Sequence, residues 1–254
     1  MIRILEVVGL TKRFAGITAL DAVSFTVEEG QILGLFGPNG AGKTTCFHCL
    51  SGFAVPDGGR VIFDGREITG REPHAVARAG LARTFQIVKP FRNLTAAENV
   101  MVALGHRHYQ GRVALLGSWR GRTTRRQALD LLERVGLGRE ADRKAGVLPL
   151  GMLKRLEVAR ALALEPRLVL LDEPLGGLSH QEMQATSALI AALRSEGLTV
   201  ILVEHQMRVA MALVDRVVVL DHGALIASGP PERVRSDPKV IEAYLGQDAA
   251  MGAF

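Results

Sequence analysis

The chain has 254 residues, of which 48% are apolar and 22% charged, with a formal net charge of +5 at pH 7. That is the make-up of a folded globular protein, sized for one large α/β domain or one domain carrying an inserted subdomain. No uninterrupted apolar run approaches the length of a bilayer span, and with aromatics at only 5% the core must be built from Leu, Val, Ile and Ala, which favours a parallel sheet flanked by helices.

In chain order, the first residues lack a basic segment followed by a sustained apolar one, so no signal peptide is expected and the chain reads as cytoplasmic and soluble. Short β-type runs cover residues 4–8, 22–27 and 31–36, and Asp57-Gly58-Gly59 supplies a turn before a further run over 60–63, as in an antiparallel hairpin region. From Ala96 the pattern becomes helical, with breaks around 105–122, a helix over 123–135 that puts Leu129, Leu132 and Val135 on one face, and another over about 153–164. The chain then alternates: strand 168–171, helix 180–195, strand 199–203, helix 206–213 and strand 216–220. Such β-α-β repetition makes a parallel sheet, so the stretch from about 87 to 164 is expected to be a helical insertion in a mixed α/β body. Residues 247–254 read as a loose tail.

The basic excess is concentrated between Arg107 and Lys144 without interleaved aromatics. It reads as a solvated helical face, with lipid headgroups or an acidic partner surface as the alternative. Cys46-Phe47-His48-Cys49 has metal-like spacing but no second pair, and it falls on a helix where small apolar side chains pack. The reading there is structural.

Gly37-Pro38-Asn39-Gly40-Ala41-Gly42-Lys43-Thr44 fits the phosphate loop G-x-x-x-x-G-K-[ST], between a strand that feeds in and a helix that leaves. Its glycines let backbone N–H groups converge on phosphate oxygens, and the new helix aims its positive end at them. Lys43 supplies a charge for the β- and γ-phosphates, and the Thr44 hydroxyl is a ligand for Mg²⁺. Further on, the apolar run 168–171 ends in Asp172 and Glu173. Asp172, at a strand's carboxyl end, is placed to hold Mg²⁺, and Glu173 to polarise an attacking water.

With these motifs, the sequence resembles the ATP-binding cassette (ABC) ATPases over nearly its whole length and in the family's motif order. The resemblance implies a P-loop α/β core of mixed sheet, an antiparallel β-subdomain plus a parallel α/β core, with an inserted helical subdomain. Residues 1–254 would be one ABC ATPase domain: 1–86 and 165–225 the nucleotide-binding core, 87–164 the helical insertion and 226–254 a C-terminal extension. It implies that Phe14 stacks on adenine, that residues 37–44 and the adjoining Thr45 bind the nucleotide, and that Gln86 in Arg83-Thr84-Phe85-Gln86 touches Mg²⁺ or the lytic water. His205 matches the switch histidine that contacts the γ-phosphate. ATP and Mg²⁺ are the implied ligands, and Lys43, Gln86, Glu173 and His205 the implied catalytic set.

The family's Leu-Ser-Gly-Gly-Gln signature aligns with Leu148-Pro149-Leu150-Gly151-Met152, followed by a well-matched basic helix. Pro149 replaces a serine whose hydroxyl and N–H would meet phosphate, and proline has neither donor. Ser179 stands where the family often has aspartate. Because family members work as face-to-face pairs, an altered signature weakens the partner's site, so the expected assembly is a heterodimer with a different ATPase, a homodimer being the alternative. Arg83-Thr84-Phe85-Gln86, the stretch 91–100 and the ending 237–246 resemble the importer ATPases for branched-chain amino acids, and the ending suggests a helix docked back on the body. Urea importers and the lipopolysaccharide-export ATPase share much of that ending. The resemblance therefore implies an ATPase at the cytoplasmic face of the inner membrane, partnered by transmembrane permeases and indirectly by a solute-binding protein. Non-transport ABC ATPases acting on DNA or ribosomes usually carry coiled-coil or zinc insertions or tandem cassettes, and this chain has neither, so no nucleic-acid partner is expected.

Overall fold

The computed structural model describes residues 2–105 and 121–245. Among the described residues ten strands fall into two sheets. The first contains β1 (Arg3–Phe14), β2 (Ile17–Glu28), β4 (Gly58–Phe63) and β5 (Arg66–Glu67) in the antiparallel order β2-β1-β4-β5. The second contains β3 (Ile32–Phe36), β6 (Leu81–Arg83), β7 (Leu168–Asp172), β8 (Thr199–Val203), β9 (Arg216–Asp221) and β10 (Ala224–Gly229) in the order β10-β9-β3-β8-β7-β6. Within it β6, β7, β8, β3 and β9 run parallel and only β10 is antiparallel. This is the expected mixed P-loop α/β architecture.

The first two strands are longer than the sequence suggests. Ala15 and Gly16 both take positive φ, giving a two-residue hairpin that joins Phe14 to Ile17. The glycines at 58 and 59 are not a turn but part of β4. A side chain at Gly59 would overlap the Gly9 backbone, so these residues let β1 and β4 approach closely. Asp57 ends that crossing by accepting the Arg13 N–H at 2.6 Å and Lys12 Nζ at 3.1 Å.

Alternate residues along the parallel strands face opposite sides, and both sides are covered. Leu33, Leu35, Leu168, Leu170, Ile201 and Val203 pack toward the antiparallel sheet and α1 (Lys43–Leu50). Ile32, Phe36, Val169, Leu171, Val200 and Leu202 join the other cluster, with α3 (Ala96–Leu104), α4 (Arg122–Arg134), α5 (Leu150–Leu162), α6 (His180–Ser195) and α7 (Met207–Leu213). This two-sided burial is why these strands read as unbroken apolar runs. The other helical elements among the described residues are the shorter helices α2 (Pro73–Ala79), α8 (Pro231–Arg235) and α9 (Pro238–Leu245) and two 3-10 turns at Gly138–Glu140 and Ala145–Val147.

Caps set the boundaries. Thr95 with Glu98 and Ser179 with Glu182 form reciprocal capping boxes at the starts of α3 and α6. Helix α5 begins three residues earlier than the periodicity predicts, because Pro149 takes the N-cap position and its carbonyl accepts the Leu153 amide. Cys46 and Cys49 are free thiols buried in the cluster behind the phosphate loop. Burial pushes the Cys49 thiol up to about 11 and Cys46 still higher, so both stay protonated. Within the basic stretch 107–144, residues 107–120 lie outside the described residues, and Arg122, Arg126, Arg134, Arg139 and Arg143 are exposed. The tail 247–254 also lies outside them.

Candidate functional site

The fully buried strand β3 ends at Phe36, and residues 37–42 loop over to the start of α1. Lys43 is the first residue of that helix and turns back over the loop, its Nζ donating to the carbonyls of Gly37 at 2.7 Å and Pro38 at 2.8 Å. Burial draws Lys43 below the usual lysine range, against the opposing pull of Glu173 and Asp172. Gly37 has φ 144°, and a Cβ there would overlap the Leu220 carbonyl oxygen, so only glycine fits this entry to the loop. Asn39, Gly40 and Thr44 are exposed, Ala41 is buried, and Gly42 and Thr45 are half-buried.

Strand β8 lies between β3 and β7, and β6 flanks β7. That order delivers the remaining candidates to one edge, the carboxyl ends of neighbouring parallel strands, where open α/β sheets bind ligands. From β7 come Asp172 and Glu173, from just beyond β8 Glu204 and His205, and from just beyond β6 Gln86. Glu173 Oε1 accepts Gln86 Nε2 at 3.0 Å and lies 2.9 Å from His205 Nε2. Glu173 itself sits at φ 49°, a strained conformation for a non-glycine residue, with its amide bonded to the Val203 carbonyl at 2.9 Å. Thr44, Gln86 and Asp172 line one cleft of about 720 Å³, which also reaches Glu157 and Arg160 on α5.

Phe14 stands apart from this cluster, at the tip of the β1–β2 hairpin, 48% exposed. The Lys12 Nζ lies 5.2 Å from its ring centroid, and farther along β2 the Ala19 carbonyl backs onto Gly42.

Three residues that sequence reasoning passed over hold the cluster in place. Arg83 Nη2 pairs with Asp172 Oδ2 at 2.9 Å, both side chains almost fully buried. Its guanidinium is enclosed by the rings of Phe47, Phe53 and Phe85 and bonds Ser51 Oγ at 3.1 Å. Lys154, buried on α5, donates to the carbonyls of Glu173 at 2.6 Å and Gly176 at 2.5 Å. Burial lowers its pKa while Glu204 and Glu173 pull it back up. Glu204, 2% exposed, accepts the Leu175 amide at 2.5 Å and the His205 amide at 3.2 Å. Burial pushes Glu204 above the usual carboxylate range, with the Leu175 amide and Lys154 acting the other way. The only sequence signal for these three is their position: Arg83 beside Gln86, Lys154 beside the signature, Glu204 beside His205.

At the signature, Pro149 caps α5 without any side-chain hydrogen bond, and Leu150 is 45% exposed. The Glu182 carboxylate lies against Gly151, where a Cβ would overlap it. Glu182 Oε2 accepts the Ser179 amide at 3.0 Å and the Ser179 hydroxyl at 2.7 Å.

The sequence pattern of the family described as ABC transporter matches residues 20–176, and that described as branched-chain amino acid ATP-binding cassette transporter matches 224–250. The chain belongs to the ABC transporter family. It is 47% identical over 96% of its length to the high-affinity branched-chain amino acid transport ATP-binding protein BraF of Pseudomonas aeruginosa, 98% of which is covered. It is 40% identical, at the same coverages, to the corresponding protein LivG of Escherichia coli strain K12. Among solved structures, a nucleotide-free ATP-binding cassette from an ABC transporter superposes with a TM-score of 0.87 at 31% identity, covering 97% of this chain and 100% of the other. The ADP conformation of the cassette MJ1267 gives 0.86 at 31% identity, again over 97% and 100%. This chain is thus an ABC ATPase cassette, and the phosphate loop belongs to a nucleotide-binding domain.

Proposed function

We propose that this chain hydrolyses ATP to drive a branched-chain amino-acid importer, working at the cytoplasmic face of the membrane on permease subunits that carry the solute. The observation that carries the proposal is the convergence of Lys43, Gln86, Asp172, Glu173 and His205 at the ends of neighbouring strands, in a chain related to BraF and LivG over 96% of its length. Among the described residues no helix is long and apolar enough to cross a membrane, and in this reading the transport path belongs to other subunits. In this reading residues 1–86 and 165–225 grip and cleave the nucleotide, 87–164 transmit motion to the permeases, and 226–254 form the C-terminal extension.

The chemistry is phosphoryl transfer to water. Phe14 stacks on the adenine, and backbone N–H groups of the loop 37–45 cradle the phosphates, apart from Pro38, which has none, and Gly37, whose N–H goes to Tyr244. Lys43 exchanges its two loop carbonyls for phosphate oxygens and offsets the charge that develops on them. Glu173 orients the attacking water, while Gln86 and His205, both on its Oε1, fix the carboxylate's direction and meet the water and γ-phosphate. Thr44, Gln86 and Asp172 offer the hard oxygen donors that Mg²⁺ prefers, they line one cleft, and Arg83 occupies only one of the two Asp172 oxygens, so the site fits that ion. When bound, Mg²⁺ screens the β- and γ-phosphate charge.

The cassette pairs with a second, different ATPase. A related cassette, MJ0796, 27% identical, is known as a dimer in a post-hydrolysis state with ADP and Pi. In such a pair each ATP lies between one chain's phosphate loop and the other's signature. Here the signature end presents Pro149, without a donor, and a carboxylate beside Gly151, which disfavours phosphate at that helix start. The intact phosphate loop is therefore served by a fuller signature on the partner. Two experiments test these readings. Deleting the gene should abolish uptake of labelled leucine, isoleucine or valine, and unchanged uptake of all three would sink the importer assignment, with loss of labelled urea uptake instead pointing to the urea reading. The purified chain alone should turn over ATP slowly, and strongly cooperative hydrolysis by a homodimer would sink the unequal pair.

A further inference from the structure

Helix α9, packed against β10 and α8, brings Tyr244 to the nucleotide site from the far end of the chain. The Tyr244 ring is half-buried against the larger core cluster. Its Oη accepts the Gly37 N–H at 2.8 Å and lies 3.6 Å from Met207 Sδ, toward which it donates. Burial pushes the hydroxyl up to about 12, despite the Gly37 amide, so it keeps its proton at neutral pH.

These two contacts join two segments that face the nucleotide. Gly37 opens the phosphate loop, and its own carbonyl holds Lys43 Nζ at 2.7 Å. Met207 opens α7, and its amide bonds the His205 carbonyl at 2.9 Å. One hydroxyl thus holds the amide of the residue whose carbonyl parks the phosphate lysine, and touches the residue that anchors the switch histidine. Gly37 must stay glycine, because a Cβ there would overlap the Leu220 carbonyl oxygen.

We propose that Tyr244 is a positioning residue of the ATPase site, its hydroxyl holding the Gly37 amide at the entry to the phosphate loop and tying that loop to the helix behind His205. The C-terminal helix then becomes a working part of nucleotide binding. The proposal rests on the ATPase reading of the same site, and Tyr244 acts through Lys43 and His205 without touching the nucleotide itself.

The test is Tyr244→Phe in the full chain, which keeps the ring and removes the hydroxyl. Equilibrium binding of ATP should weaken about three- to tenfold, the range for losing one neutral hydrogen bond to a part-buried amide. The melting temperature should fall by no more than about 6 °C, because the ring packing is unchanged and only one hydrogen bond, about 0.5–1.5 kcal/mol, is lost. An ATP Kd within twofold of wild type would overturn the proposal. Met207→Leu, which spares the Gly37 bond, should lower kcat of the assembled transporter at unchanged KM, and no change in kcat would overturn the tie to His205. It also serves if Tyr244→Phe fails to fold. A wild-type chain that binds no ATP would defeat the ATPase reading itself, whereas tight wild-type binding with an indifferent Tyr244→Phe defeats only the role of Tyr244.

Discussion

Replacing Arg83 by Met leaves a long unbranched side chain among Phe47, Phe53 and Phe85 but takes the guanidinium away from Asp172. The pair is nearly dry, with side-chain exposures of 5% and 4% at 2.9 Å. Removing one partner of such a pair costs about 3–5 kcal/mol, because the remaining charge stays buried and uncompensated. The three ring contacts, at 5.3–5.8 Å from the guanidinium carbon, are lost as well. The methionine sulfur returns about 0.3–1.5 kcal/mol per aromatic contact, so the pair's loss sets the total. Against a total stability of about 5–15 kcal/mol this is a large fraction. At about 2–4 °C per kcal/mol for a chain of this size, the melting temperature should fall by about 6–20 °C. The assay is thermal unfolding of the nucleotide-free chain, followed by circular dichroism, for Arg83→Met, Asp172→Asn and the double variant. The double variant should be more stable than the sum of the two singles implies, since neither charge is then left alone. A melting temperature for Arg83→Met within about 2 °C of wild type, or strict additivity in the double, would refute the reasoning.

Other substitutions probe the remaining parts of the site. Glu173→Gln preserves the acceptor for Gln86 but removes the charge that polarises water, so ATP should still bind while kcat drops by about 100-fold or more, as trapped ³²P-ATP would show; an unaltered rate would deny Glu173 its role. Lys154→Met frees the carbonyls of Glu173 and Gly176 and should cost about 1.5–3 kcal/mol, read as a shift in the urea midpoint at constant slope. Glu204 has a raised folded pKa, so its favourable contribution is complete below the unfolded value of about 4.3 and is lost as pH rises through the folded value. Relative to Glu204→Gln, the wild type should therefore gain stability as pH is lowered from 7 toward 5, and a difference that stays flat over that window would contradict the burial argument.

The sequence by itself determined what is written in contiguous residues. The phosphate loop, the apolar strand ending in Asp172 and Glu173, and the alternation from 168 to 221 are local signals, because strand and helix periodicities and loop chemistry act over a few neighbours. The helix 180–195 was legible to the residue, since Ser179 and Glu182 cap it within one turn. Gly58 and Gly59 were misread as a turn because the reason for them, close approach to Gly9, lies about fifty residues away. The same holds for the supports of the site. The partnership of Arg83 with Asp172 spans 89 residues, that of Gln86 with Glu173 spans 87, and that of Tyr244 with Gly37 spans 207. None exists until the strands assemble in the order β6-β7-β8-β3, which places their carboxyl ends side by side. A buried charge or amide must find a partner when water is withdrawn, and which partner it finds is a property of the packed sheet. The sequence named the groups proposed to meet the nucleotide; tertiary structure alone decided which others hold them still.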